Sequence, residues 1–408
     1  MKKTKKYLLL AIILVMLILF GIQRNVYKQQ YKINSYSLAI FVDGEKKDTY
    51  PERGNYNVSV DCRGKASGSW DYNNWGPIIK NFNDGAACNI IFTTGKKFNE
   101  YVIDASKTDS NIIYIEQPDT VQTGSNAKEE YRYTGANPNN YVYFGCDNNC
   151  TEDNLYRIIG VIPTESIEGG TYEKRLKLIK ASAYQESESG LLLDSPIIAG
   201  KKGYRWNNVV SNAFENSSIA NTVLNGVYWN SLGDYQKYLD KSIWYLGASK
   251  LATYQSDTAN DYYVNERSDV KGYSQGALNY RAYIGLMYPS DYGYAASTFL
   301  HKNPIFTRRM TQLSENWLYN LEYDPVNESE STFVQFGEWL ISPESTYADK
   351  DGVPAYTISS FAGVEPHQTT YVNFVYDIRP TFYLKENVLY QNGLGTKESP
   401  YRIMLGES

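Results

Sequence analysis

Gly272-Tyr273-Ser274-Gln275-Gly276 has the G-x-S-x-G spacing of a serine nucleophile elbow, and Asp291 or Asp324 followed by His367 supplies the Ser, Asp, His order of a hydrolase triad. Such a serine needs an apolar strand before it and a helix after it, to aim the hydroxyl and to supply oxyanion donors. What precedes it, Asn265 to Lys271, is polar, so the competing expectation is a surface loop. Trp70, Asp71, Tyr72 and Trp75 suggest a different chemistry, because indole faces stack on sugar rings and the polar groups between them bond hydroxyls. The same tryptophans suit the interior of a small module. Asp291 with Tyr292 and Tyr294 reads either as a ligand site or as a buried turn whose carboxylate caps main-chain amides. Asp349 and Asp351 could offer oxygens to calcium, although no EF-type loop surrounds them, and no other cofactor is expected. The 45 acidic residues also leave a glycosidase carboxylate pair open, since separation in space defines such a pair.

The elements that hold these residues begin with an anchor. Lys2, Lys3, Lys5 and Lys6 precede an apolar run from Tyr7 to Ile22. As a helix the run extends about 24 Å, at the short end for a hydrocarbon core of roughly 30 Å. No small-residue cleavage pattern follows it, so an uncleaved signal anchor is expected, with the lysines inside and the chain outside from about Arg24. With those lysines inside, the exterior part is more acidic than the −5 of the whole chain, which argues against nucleic acid or anionic lipid as partner.

Four cysteines in an exterior setting are expected to be oxidised. Three connectivities are open. Local pairing, Cys62 with Cys88 and Cys146 with Cys150, is the expectation, and zinc at the second pair is opposed by its C-x-x-x-C spacing. The 39 tyrosines, many in alternating runs such as Tyr56, Val58, Val60, suit half-buried strands, and exposed tyrosines favour a binding surface.

Four segments follow: residues 1–30 with the anchor and the start of a stalk, 36–103 as a small β-rich module, 104–130 as a linker, and 131–408 as an α+β domain. In the last, Leu155 to Ile162 and Arg175 to Ile179 read as paired strands. Ile219, Val223 and Val227 recur as on a helix, Tyr254 to Gly276 reads as a polar loop, and strands return at the end.

Several stretches of this large segment carry a resemblance. They are Leu224 to Trp229, Trp244 to Gly247, Ile284 to Ala295, Trp339 to Pro343, Ile378 to Leu384 and the closing Gly393-x-Gly395-Thr396-x-x-x-Pro400-Tyr401-x-Ile403. The chain resembles an uncharacterised family of surface proteins from Firmicutes, and Val42-Asp43-Gly44, Cys62, Trp70 to Tyr72, Trp75 and Cys88 look like that family's small β module. The resemblance implies a C-type-lectin-like C-terminal domain of α+β build, related in shape to the formylglycine-generating enzyme. The expected fold is therefore α+β: an N-terminal membrane-anchor helix, a disulfide-linked β module and a C-type-lectin-like domain. The expected function is recognition of a glycan or protein ligand at the cell surface by a single-pass membrane protein. The alternatives are a cell-wall hydrolase, acting through Ser274 or a carboxylate pair, and a structural part of a surface assembly.

Overall fold

The computed structural model describes residues 16–17, 37–72, 74–83, 85–147, 149–165, 172–195, 202–250, 253–306, 314–319, 337–346, 353–359, 363–369 and 375–406. Apart from Met16 and Leu17, the anchor run and the stalk lie outside them, as do Asp324, Asp349 and Asp351. The chain divides into two compact units, Met1–Gly95 and Lys96–Ser408.

In the first unit, strands β1 (Ser37–Val42), β2 (Glu45–Lys47), β3 (Tyr56–Arg63) and β6 (Ala87–Thr94) form a sheet in the order β2-β1-β6-β3, while β4 (Ser67–Asp71) and β5 (Gly76–Lys80) make a separate hairpin. β1 runs parallel to β6, and the other pairs are antiparallel. Alternation decides which face of β6 is covered: Cys88, Ile90 and Phe92 are buried and the residues between them are not. Trp70 from the hairpin closes over Ile90 and Phe92. Cys62 and Cys88 face each other in register across β3 and β6 and are joined by a disulfide.

The second unit is built on an eight-stranded sheet. Its main path runs β14 (Leu239–Asp240), β21 (Thr381–Leu384), β11 (Tyr172–Lys180), β10 (Leu155–Glu165), β8 (Glu129–Tyr133) and β7 (Ile112–Glu116). β9 (Tyr141–Tyr143) adds to β10 and β17 (Ile284–Gly285) to β21. β10 is buried along nearly its whole length, as a central strand covered on both faces must be. Smaller sheets pack around it: β12 (Leu192–Asp194) with β13 (Lys202–Tyr204), β15 (Ser242–Tyr245) with β16 (Asn279–Ala282), β18 (Glu338–Pro343) with β19 (Pro354–Ile358) and β20 (Val364–Gln368), and β22 (Val388–Asn392) with β23 (Arg402–Leu405).

The expected α+β class with a C-type-lectin-like domain is corrected, while the expected N-terminal membrane-anchor helix lies outside the described residues. Among the described residues β structure predominates, with 39% strand and 19% helix. Among the described residues no helix is long and apolar enough to cross a membrane. The helix read at Ile219, Val223 and Val227 does form, as a wide π-helix at Ile219–Tyr228 continued by Trp229–Ser231, with 3-10 turns at Phe214–Asn216 and Gly233–Tyr238 on either side. Aromatic residues make up 15% of the sequence, and their area is well used on pleated surfaces.

The segment read as a linker, 104–130, carries β7 and buried Gln117, Thr123 and Ala127, and it belongs to the second unit. Its polar residues serve turns, whereas Ile112, Ile113 and Ile115 make a sheet edge. The loop read from Tyr254 to Gly276 contains a helix at Ala259–Glu266, opened by a capping box in which Thr258 and Asp261 exchange hydrogen bonds.

Candidate functional site

Ser274 sits in a turn that leads into β16, with no helix after it. Its Oγ accepts the Asn212 N–H at 2.8 Å, and its own N–H donates to Asn212 Oδ1 at 3.1 Å. His367, on β20 opposite Ala355, packs its ring against Tyr376 at 5.4 Å, and burial lowers its pKa to about 4, so it is neutral. No hydrogen bond joins Ser274, Asp291 and His367. The elbow pattern is met in sequence only.

Trp70, Asp71, Tyr72 and Trp75 turn inward or bond within their own module. The Trp70 ring meets Trp75 and Phe92 edge-on at 5.3 and 5.0 Å. Trp75 Nε1 donates to Pro51 O at 2.9 Å, Tyr72 Oη accepts the Val58 N–H at 2.9 Å, and Asp71 accepts from the Asn74 main-chain and side-chain nitrogens. These contacts build the interior of the small module.

Asp291 opens the helix Pro289–Ala295 and is fully buried. Its Oδ2 accepts the Tyr288 N–H at 2.9 Å and Lys177 Nζ at 2.5 Å, and its Oδ1 accepts Arg132 Nη1 at 2.7 Å. The two cations reach it because Arg132 on β8 and Lys177 on β11 both stand opposite Gly160 of the intervening β10. A Cβ at Gly160 would meet Tyr131 O at 2.4 Å and Arg132 Cγ at 3.2 Å, so the row closes only around a glycine. Arg132 Nε also bonds Glu130 at 2.6 Å, and Glu130 in turn accepts from Gln117 at 2.7 Å.

Nearby, Glu266 pairs with Arg267 at 2.9 Å and takes hydrogen bonds from Ser290 N and Oγ at 2.8 and 2.6 Å. The Lys177 ammonium lies 4.2 Å from the Tyr288 ring centre, and the Arg267 guanidinium 3.7 Å from that of Tyr263. Arg132, Lys177 and Arg267 thus balance Glu130, Glu266 and Asp291 out of contact with solvent.

Burial raises the Asp291 carboxyl, but the Lys177 and Arg132 charges override it and hold the pKa at about 2. Burial pulls Lys177 down to about 8 against the attraction of Asp291. Burial likewise pushes Glu266 up to about 7 in spite of Arg267 and Ser290. Tyr292 is buried, and Tyr294 Oη donates to Gln117 Oε1 at 3.2 Å. The expected ligand surface at Asp291, Tyr292 and Tyr294 is therefore interior, and the capping role weighed against it is the one these contacts serve.

Both disulfides form, Cys62 with Cys88 and Cys146 with Cys150. Arg402 Nη1 reaches the second at 2.8 Å from Cys150 Sγ. Among the described residues no group of three or more His, Cys, Asp or Glu side chains could hold a metal ion.

A site that the sequence reading missed is a cleft of about 690 Å³ in the second unit, lined by Tyr141, Arg157, Ser182, Trp317, Tyr319 and Arg379 among others. The Arg157 guanidinium packs against the rings of Tyr141 and Trp317, 4.4 and 4.5 Å from their centres. Arg379 is held by Glu338 through two bonds of 2.8 Å. The available signal was a cation inside an otherwise apolar strand, Leu155-Tyr156-Arg157-Ile158-Ile159, because a buried charge is retained only where something compensates it. Comparison of the chain with family models, curated proteins and solved structures finds no match.

Proposed function

We propose that this is a surface-held recognition protein, binding a glycan or a protein ligand through the cleft of its second unit without a reaction of its own. The observation that carries the reading is the cleft itself, where Tyr141, Trp317 and Tyr319 meet hydrogen-bonding groups in a volume suited to a ligand of a few rings. The two disulfides support an oxidising exterior. The lysines and the apolar run from Tyr7 to Ile22 support attachment to the outer face of a membrane. The resemblance of Ile284 to Ala295 and the other stretches to surface proteins of Firmicutes supports the same setting.

The test is co-sedimentation of the detergent-solubilised full chain with cell-wall material. Saturable binding that soluble wall saccharides compete away, and that survives calcium chelation, is expected. Absence of binding would sink the wall-glycan reading, and loss of wall mass during incubation would return the hydrolase.

A further inference from the structure

Arg157 is a cation held indoors without an opposite charge. Its residue is 8% exposed, and its Nε donates to Asn140 Oδ1 at 2.7 Å, Nη1 to Trp317 O at 3.2 Å and Nη2 to Pro138 O at 3.3 Å. Every one of these acceptors is neutral, and among the described residues no carboxylate forms a salt bridge with it. A guanidinium has five N–H donors, so part of its fork is left over after these three bonds. Burial brings Arg157 down to about 10, opposed by Tyr141 and helped by the like charge of Arg379. An unmatched buried cation is costly, and this one lines an open cleft.

We propose that the cleft binds a saccharide through a carboxylate seated on the Arg157 guanidinium, an inference that rests on the recognition reading above. A planar carboxylate matches the planar N–H fork, and two aromatic rings packed against the guanidinium keep water away and strengthen charge-assisted bonds. The volume exceeds what a small inorganic anion fills, and Asn137, Ser182 and Ser314 bring amide and hydroxyl groups to the walls for sugar hydroxyls. Glu152, paired with Lys397 at 3.1 Å, and Asp153 line the same cleft, and Arg379 there is already held by Glu338, so the site suits a ligand unit with a single negative charge better than a polyanion.

The experiment is a titration of the detergent-solubilised full chain with a disaccharide ending in glucuronic acid, with its methyl ester and with the corresponding glucose-terminated disaccharide. The free acid is expected to bind at least tenfold more tightly than the other two, with a preference that shrinks as salt rises. Arg157→Met is expected to abolish the preference. Because Arg157 also ties two main-chain carbonyls, Ser182→Phe, which fills the cleft and leaves the arginine in place, is the second variant and is expected to weaken the acid tenfold or more. Equal affinity for acid and ester overturns the carboxylate assignment and leaves recognition standing. Wall binding with none of the three disaccharides bound does the same. Failure of both wall and disaccharide binding removes the glycan-recognition reading as well.

Discussion

Lys177 Nζ lies 2.5 Å from Asp291 Oδ2, and neither side chain touches solvent. Their elements are 114 residues apart in sequence, so this contact fastens the sheet to the helix Pro289–Ala295. A buried pair of this kind adds little over an apolar pair of the same shape, but a half-broken one is expensive. Lys177→Met is therefore expected to destabilise the second unit by about 3–5 kcal/mol. Lys177→Met with Asp291→Leu is expected to cost less than the sum of the single changes. Urea unfolding followed by circular dichroism measures both, and strict additivity would show that the pair is not coupled.

Gly160 separates the two cations that hold Asp291. Gly160→Ala places a methyl group 2.4 Å from Tyr131 O, so the β8 and β10 backbones must part. A loss of roughly 1–3 kcal/mol is expected, in the range of overpacked interiors, and a thermal melt at neutral pH reads it. An unchanged midpoint would mean that the sheet yields at this point without cost.

The carboxylates set two opposite pH windows. Asp291 falls from an ordinary 3.8 to about 2 on folding, so its contribution is complete above 3.8 and disappears as pH drops toward 2. Glu266 rises from 4.5 to about 7, so its contribution is complete below 4.5 and disappears as pH rises through 7. Asp291→Asn is expected to flatten the acid limb of stability against pH, and Glu266→Gln the decline toward neutrality. Urea midpoints collected from pH 2 to pH 8 test both, and identical slopes in wild type and variants would exclude these residues as the titrating groups.

The bridge between Cys62 and Cys88 closes a 26-residue separation across β3 and β6. Chain-entropy reasoning gives it about 3 kcal/mol, a large share for a unit with so small an apolar cluster. Replacing both cysteines with alanine is expected to unfold the first unit at lower temperature while leaving the second in place. A calorimetric trace with the early transition shifted and the late one unmoved is the expected record.

Ser274 has its hydroxyl tied to the Asn212 N–H and no hydrogen bond to a histidine. A fluorophosphonate probe is expected to leave the chain unlabelled. Labelling that Ser274→Ala abolishes would restore the hydrolase.

What depends on near neighbours was legible in the residues themselves. Alternation in Cys88-Asn89-Ile90-Ile91-Phe92 decides which face of β6 is covered, and the apolar run Leu155 to Ile162 decides that β10 is buried. The pairing of the cysteines was also legible, because each short segment brings its own two within reach. Thr258 and Asp261 carried a helix start that the polar composition around them obscured.

The class and the sites rest on contacts between segments distant in the chain. How much of the chain joins the sheets depends on what each segment packs against, and β structure predominates among the described residues. Asp291 takes its role from Arg132 and Lys177, which meet it across a row of three strands through the gap at Gly160. Arg157 takes its role from Tyr141 and Trp317, which come from β9 and from a segment far along the chain. Local spacing records the geometry of one strand or turn. The balance of charge around a buried cation depends on several distant strands and turns at once, and that balance exists only after the sheet has closed.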